Sequence, residues 1–286
     1  MKKTFQDYLL IKEAQQQETP VSKDWRKEHV SLEKGFIPPT NMKPIIEAFN
    51  DSGKVVVMKD ISGKHLTLPK KSLYLVGGPV RDFLLGKSIK DYDLATDANP
   101  EQIATILNAK GFRYAGDRTG KKGVPLQLPF TPKPAEAGTK KMWFVKGRDA
   151  HGKAFVISAI VNGEEFEIAT FRQDAKMGKV SDDASSREKR TPGVDFVDNP
   201  HGDASRRDFT INAMYIELNK PDGENNKLYD PTGKGWHDAK HNIVRTVGSA
   251  KDRFEEDRVH FDHFSRHGVS SRTRPTLRNE KLSCLR

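Results

Sequence analysis

Two aspartates, Asp91 and Asp93, stand one residue apart in the apolar stretch Lys90-Asp-Tyr-Asp-Leu-Ala-Thr96. In a strand, residues i and i+2 point to the same side, about 6–7 Å apart. Tyr92 and Leu94 would then face a core. Two bare carboxylates at that separation repel, and one takes up a proton unless a cation joins them. Carboxylate oxygens suit Mg²⁺, which keeps several waters and also takes substrate phosphates. Two such ions about 3.5–4 Å apart can activate an attacking hydroxyl and steady a leaving group. The plainer reading of an Asp-x-Asp is a solvated loop, so the pair needs support from its surroundings.

That support begins with Gly77-Gly78, which closes the apolar run Leu73-Tyr-Leu-Val76 and precedes Pro79. Backbone N–H groups where a strand gives way to a helix bind phosphate, and Arg81 adds charge. The Gly86-Lys87-Ser88 that follows is not a P-loop, because that motif needs a glycine where Arg81 stands. A second constellation is Arg206-Arg-Asp-Phe-Thr-Ile-Asn-Ala213. Read as a helix capped by Ser205, it sets Asp208 and Asn212 one turn apart on one face. An acceptor and an amide so placed can meet a ribose hydroxyl or a base edge, and Arg206 and Arg207 can hold phosphate.

The elements that must position these groups follow from pattern. A short amphipathic helix is expected over 5–17 and another over Lys43–Asn50. Two short strands should flank Ser62-Gly63. Pro79, Val80, Phe83 and Leu84 predict a helix that Gly86 stops. Asn99-Pro-Glu-Gln102 reads as a capping box for a helix through Ile103, Ile106 and Leu107 to Gly111. Residues 116–153, rich in Gly, Pro and Lys, read as an insertion. Asn162-Gly163 between two alternating runs predicts a hairpin.

The chain of 286 residues carries a formal charge of +10, with 35% hydrophobic and 31% charged residues. Such a field attracts polyanions. The single cysteine, Cys284, excludes a disulfide framework or a cysteine-based zinc site within one chain. No apolar run approaches a membrane span, so a soluble, reducing, cytoplasmic setting is expected. The pattern does not indicate an oligomeric state.

Five ordered stretches together resemble the class II tRNA nucleotidyltransferase and poly(A) polymerase family. They are "GGPVRDFLLG…KDYDLAT", "FEIATFR", "RRDFTINAM", "LYDPTGKGWHDAKHNIVRTVG" and "RFEED". The resemblance covers about 74–115 and 154–259. It implies an α/β nucleotidyltransferase head of the polymerase-β-like type, with a small mixed sheet and a truncated helical neck. It also implies Mg²⁺-dependent addition of CCA, or part of it, from CTP and ATP to the 3′ end of tRNA or another RNA. By that likeness Asp91 and Asp93 are the catalytic metal ligands. Glu167 is a candidate third carboxylate on a neighbouring strand. Gly77, Gly78 and Arg81 lie near the triphosphate, while Arg207, Asp208 and Asn212 contact ribose and phosphates. Asp257 would face a base edge. "NAM" in place of the "NSL" of the poly(A) polymerase branch leans toward CCA addition. Polyadenylation, or a catalytically impaired RNA-binding remnant, are the alternatives.

The expected domains are an N-terminal extension of unknown role (1–70), the head (71–218), the start of the neck (219–259) and a tail (260–286). The family pattern after Glu256-Asp257 places arginines where His260 and His263 stand here. Neutral histidine lacks the planar donor fork of arginine. The run from His260 to Arg286 has little amphipathic period. Truncation or a frameshift is the expectation that accounts for both, with 260–286 disordered.

Overall fold

The computed structural model describes residues 29–59, 65–120, 123–174, 194–219, 225 and 227–248. One long sheet organises them. Its strands in chain order are β1 (Val30–Ser31), β4 (Leu73–Val76), β5 (Asp93–Thr96), β6 (Arg113–Asp117), β7 (Lys141–Arg148), β8 (Ala154–Val161), β9 (Glu164–Thr170), β12 (Tyr215–Glu217) and β13 (Lys227–Tyr229). Two small ladders supply the missing numbers: β2 (Val56–Lys59) with β3 (His65–Thr67), and β10 (Arg172–Asp174) with β11 (Val194–Phe196). The helices are α1 (Lys43–Asn50), α2 (Gly78–Leu84), α3 (Pro100–Ala109), α4 (Pro200–Ser205) and α5 (Gly235–Lys240).

The strands lie in the order β1-β13-β12-β4-β5-β9-β8-β7-β6. The β5/β9 and β6/β7 pairs are parallel and the others antiparallel. The architecture is therefore the expected mixed α/β head, but the sheet is large where a small one was expected. Much of the difference is β7, which falls inside the segment read as an irregular insertion. Its apolar core, Met142-Trp-Phe-Val145, spans four residues between lysines, too short to reveal a period. Pairing along the whole of β8 stabilises it, and Trp143 and Val145 are buried in the main core.

Alternation of side chains gives the sheet two dressed faces. Leu73, Leu75, Leu94, Ile168, Ile216 and Leu228 point into the main core, where α1 and α3 bring Ile45, Phe49, Ile103 and Leu107. Tyr74, Ala95, Tyr215 and Tyr229 point the other way and pack with Phe171 and Ala204. The rings of Tyr74 and Tyr229 meet edge to face, 5.9 Å between centroids.

Several local expectations hold. The helix over Lys43–Asn50 forms as read. Asn99 accepts from Gln102 N at 2.8 Å and Gln102 Oε1 accepts from Asn99 N at 3.0 Å, completing the capping box. Asn162 and Gly163 both take positive φ, 51° and 88°, as the tight turn between β8 and β9 demands.

Two readings need correction. The strand around the aspartates is shorter than expected: β5 starts at Asp93, and Asp91 lies in a bend before it. The ladder to β4 reaches only Leu94 and that to β9 only Asp93, so nothing extends the strand to Asp91. Second, Arg206–Ala213 is not a helix. α4 ends at Ser205 and is capped by Asn199, whose side chain accepts from Gly202 N at 3.0 Å. A 3₁₀ turn at Thr210–Asn212 and then β12 follow. Tertiary pairing takes the backbone groups a helix would use: Val247 N donates to Asp208 O, Thr210 N to Arg245 O, and β12 joins β4 and β13. Met214, Ile216 and Leu218 face the main core while Ala213 and Tyr215 face away, a period of two. The sheet and its core also include elements from outside 71–218. β1 and β13 extend it, and α1 lies in the same core.

The two short strands expected to flank Ser62-Gly63 form as β2 and β3; Ser62 and Gly63 themselves, with residues 5–17, Asp257, His260, His263 and the tail 260–286, lie outside the described residues. Among the described residues, no helix is long and apolar enough to cross a membrane.

Candidate active site

Gly77 is the pivot of the site. It links β4 to α2 with φ of 79°, a conformation that disfavours any side chain. A Cβ placed there would meet Arg207 Nη1 at 3.6 Å, Asn212 O at 3.9 Å and Asp93 Oδ2 at 4.0 Å. One backbone position thus brings together groups from β5, from the segment after α4 and from the 3₁₀ turn. Three of these sequence-nominated residues, spread over 136 positions of chain from Gly77 to Asn212 inclusive, meet around Gly77.

The basic side is tightly held. Arg207 Nε and Nη2 donate to Asp203 Oδ2 at 3.1 and 2.9 Å, Nε also to Tyr215 Oη at 3.0 Å, and Nη1 to Asn212 O at 3.3 Å. Arg206 donates to the other oxygen of Asp203. Asp203 is 1% exposed. Burial pushes its carboxyl up, but the Arg207 and Arg206 guanidiniums and the Tyr215 hydroxyl outweigh that and hold it below its ordinary value. Arg207 is held charged: burial opposes this, and Tyr215 and Asp203 overcome it. Arg81 Nη1 donates to Asn212 Oδ1 at 3.0 Å, tying α2 to the 3₁₀ turn, and Arg81 Nε donates to Asp82 at 2.9 Å. A Cβ on Gly78 would meet only Arg81 Nη2, at 3.6 Å.

The acidic side differs. Neither Asp91 nor Asp93 makes a side-chain hydrogen bond or ion pair among the described residues, and Asp208 contributes only its backbone carbonyl. The Asp93 carboxyl is raised, first by burial and then by Glu167, with Asp91 adding to the effect and Arg207 and Lys146 opposing it. Its residue surface nonetheless remains open to solvent, so the raised value reflects crowding by protein and by acids on an accessible rim. Asp93 and Glu167 are register partners in the parallel β5/β9 pair, so their side chains leave the same face on adjacent strands. Glu167 is engaged: Lys146 Nζ on β7 lies 2.6 Å from Glu167 Oε1 and 2.6 Å from Glu165 Oε1.

Among the described residues, no three His, Cys, Asp or Glu side chains form a ready-made metal cage. The donor set that remains is a pair of unpartnered carboxylates, open to water and phosphate. That suits Mg²⁺, which binds through one or two carboxylates and completes its octahedron with waters and substrate oxygens.

Sequence reasoning missed Asp203, Tyr215 and Lys146. Asp203 had a signal, since it stands three and four residues before Arg206 and Arg207 at helical spacing. Tyr215 and Lys146 had none, because they reach the site across strands.

The family model described as the poly A polymerase head domain matches residues 73–127 and 133–245, more than half of the chain. The chain belongs to the poly(A) polymerase head-domain family. Both matched stretches contain the groups around Gly77, and the break at 128–132 falls within the expected insertion. The CCA-adding enzyme of Staphylococcus saprophyticus is 32% identical over 184 residues, 64% of this chain and 33% of that protein. That of Lactococcus lactis is 34% identical over the same length, covering 64% of this chain and 34% of its own. The chain spans about a third of the length of these curated relatives. The Thermotoga maritima CCA-adding enzyme complexed with tRNA superposes with a TM-score of 0.47 at 21% identity, covering 84% of this chain and 41% of that one. That agreement is too loose to bear on the site.

Proposed function

We propose that this head catalyses Mg²⁺-dependent transfer of a nucleotide from CTP or ATP to the 3′ end of an RNA, with tRNA as the acceptor. The observation that carries the reading is the meeting of Asp93, Arg207 and Asn212 within about one side-chain contact of Gly77. Membership of the family and the names of the CCA-adding relatives support the choice of reaction.

In this reading Asp91 and Asp93 bind Mg²⁺ at the mouth of β5. When bound, the ion lowers the pKa of the RNA hydroxyl and neutralises charge building on the phosphate. Arg207, already oriented by Asp203 and Tyr215, offers its guanidinium to the triphosphate and loses little entropy in doing so. Arg81 and the side-chain-free Gly77 and Gly78 let phosphates approach the backbone at the start of α2. Asn212 holds Arg81, and Asp208, with its carboxylate unspent, accepts from the ribose. Glu167 acts as the third carboxylate through its register with Asp93, once its hold on Lys146 loosens. The base-reading role proposed for Asp257 belongs to a segment outside the described residues. The head is proposed to span about 71–218 as its catalytic core, with β1, α1 and β13 buttressing it, and to work in the cytoplasm. No protein nucleophile is needed.

Incubation of the chain with tRNA ending at the discriminator base, Mg²⁺ and labelled CTP or ATP tests this. Products extended by C, C and A, or by part of that series, are expected. A ladder of A alone would assign polyadenylation, and no extension would leave an RNA-binding remnant.

A further inference from the structure

α5 carries His237, and His241 follows as its C-cap. A spacing of four sets both side chains on one face of the helix. Their rings stack, with centroids 4.3 Å apart and planes 28° from parallel. Both residues are exposed, and nothing in the reaction described above uses either. The hydrogen bonds of the pair fix which ring nitrogens remain. His241 Nδ1 lies 2.8 Å from His237 O, and a carbonyl only accepts, so Nδ1 carries the proton. His237 Nδ1 lies 3.4 Å from Asp238 Oδ1, a longer contact to a carboxylate that likewise only accepts. The neutral rings therefore keep their lone pairs on Nε2.

Metal-binding histidines are prepared in this way: one nitrogen donates to a carbonyl or carboxylate, and the other is left for the ion. The anchors here are themselves held. His241 N donates to the same His237 O at 3.1 Å. Asp238 is fully buried and accepts from Thr210 Oγ1 at 2.7 Å and from Arg245 Nε at 2.8 Å. The spacing also agrees. Imidazole–metal bonds of about 2.0–2.1 Å, meeting at roughly 90–110°, put the two ring centres about 4.5–5 Å apart. The observed 4.3 Å falls just short of that, and small rotations of exposed side chains close the difference. Imidazole suits Zn²⁺, Cu²⁺ or Ni²⁺, whereas Mg²⁺ prefers oxygen. Among the described residues no third His, Cys, Asp or Glu completes a cage, so water fills the remaining positions.

We propose that His237 and His241 form a two-histidine site for a divalent transition-metal ion of the Zn²⁺ and Cu²⁺ class. The ion takes no part in the chemistry. It clips the last turn of α5, a helix too short to be stable without outside support. Through Asp238 and Thr210 that helix props the 3₁₀ turn that carries Asn212. The site does not depend on the function proposed for Asp91 and Asp93.

The chain has nine histidines, so the test must read them one by one. The ¹⁵N-labelled full chain, stripped of metal and supplied with excess Mg²⁺ to occupy the carboxylates, is titrated with Zn²⁺ while NMR follows the imidazole nitrogens. The Nε2 signals of His237 and His241 should shift together and saturably, with Nδ1 still protonated on both, and the thermal midpoint should rise. Mg²⁺ alone should move neither ring. His237→Ala and His241→Ala should each weaken Zn²⁺ at the remaining ring about tenfold or more and lose the rise in midpoint. Without Zn²⁺ both variants should melt close to wild type, because the rings are exposed. Unchanged Zn²⁺ shifts in Asp93→Asn separate this site from the carboxylates. Zn²⁺ shifts confined to the other seven histidines, a shift of one ring without the other, or wild-type affinity in either alanine variant would overturn the proposal.

Discussion

The two sides of Gly77 hold charge in opposite ways. On one, Arg207 spends three of its donor nitrogens on Asp203, Tyr215 and Asn212. On the other, Asp91 and Asp93 are unpartnered within the described chain, and Asp93 is pushed toward its protonated form by burial and by Glu167. The basic side is finished by folding, whereas the acidic side is finished only by a ligand. A fold that buried a cation for Asp93 would be more stable and would have no room for a metal. A fold that left Arg207 loose would need to order it each time a triphosphate arrived.

The largest expected effect is on turnover. Asp91→Ala and Asp93→Ala should each lower single-turnover incorporation by about a thousandfold or more, which is roughly 4 kcal/mol of transition-state stabilisation. Circular dichroism should remain that of the wild type. Incorporation within a few fold of wild type by either would break the comparison at its acidic end.

Next is a stability effect on the basic side. Arg207→Met leaves Asp203 buried with Arg206, Tyr215 and, at 3.4 Å, the Arg172 amide, and removal of one partner of a buried pair costs about 3–5 kcal/mol. Urea unfolding should find a loss of that order. A loss below about 1 kcal/mol would mean that Arg207 is as loosely held as a surface residue. Asp203 also predicts acid sensitivity. Its folded pKa is depressed, so the stability it contributes is present above its unfolded pKa and is lost as pH falls through the folded one.

Asp93→Asn should have the opposite sign. The Asp93 pKa is raised in the folded chain, so between the unfolded and folded values the folded state keeps the extra proton, and stability falls as pH rises through the folded value. In EDTA the variant should therefore unfold at a slightly higher temperature than wild type at neutral pH, with the gain vanishing in acid. Mg²⁺ should raise the wild-type midpoint and leave the variant unmoved. A destabilised variant at neutral pH would show that Asp93 has a protein partner after all.

The smallest effect concerns Lys146, the cation that stands beside the acids. Lys146→Met releases Glu167 and Glu165 from their ion pair and removes a competing charge. The Mg²⁺ concentration giving half-maximal thermal stabilisation should drop about fivefold, close to 1 kcal/mol. Unchanged or weaker Mg²⁺ affinity would assign Lys146 to holding the strands together and nothing more.

What the sequence determined by itself was local. The capping box at Asn99, the helix at Lys43–Asn50 and the Asn162-Gly163 turn each depend on groups within a few residues of one another. The same is true of the chemical types in Gly77-Gly78 and Asp91-x-Asp93. Local spacing also misled, since Arg206–Ala213 has a plausible helical face until β12 pairs with β4 and takes its backbone. Only the tertiary structure decided that Asp93 and Glu167 are neighbours, through a parallel pairing across more than seventy residues. It also decided that Glu167 answers to Lys146, that Asp203 and Tyr215 fix Arg207, and that the buried Thr170 hydroxyl has no hydrogen-bond partner among the described residues. Strand neighbours are chosen by the burial of both sheet faces at once, a sum over the whole core that no short window of sequence contains.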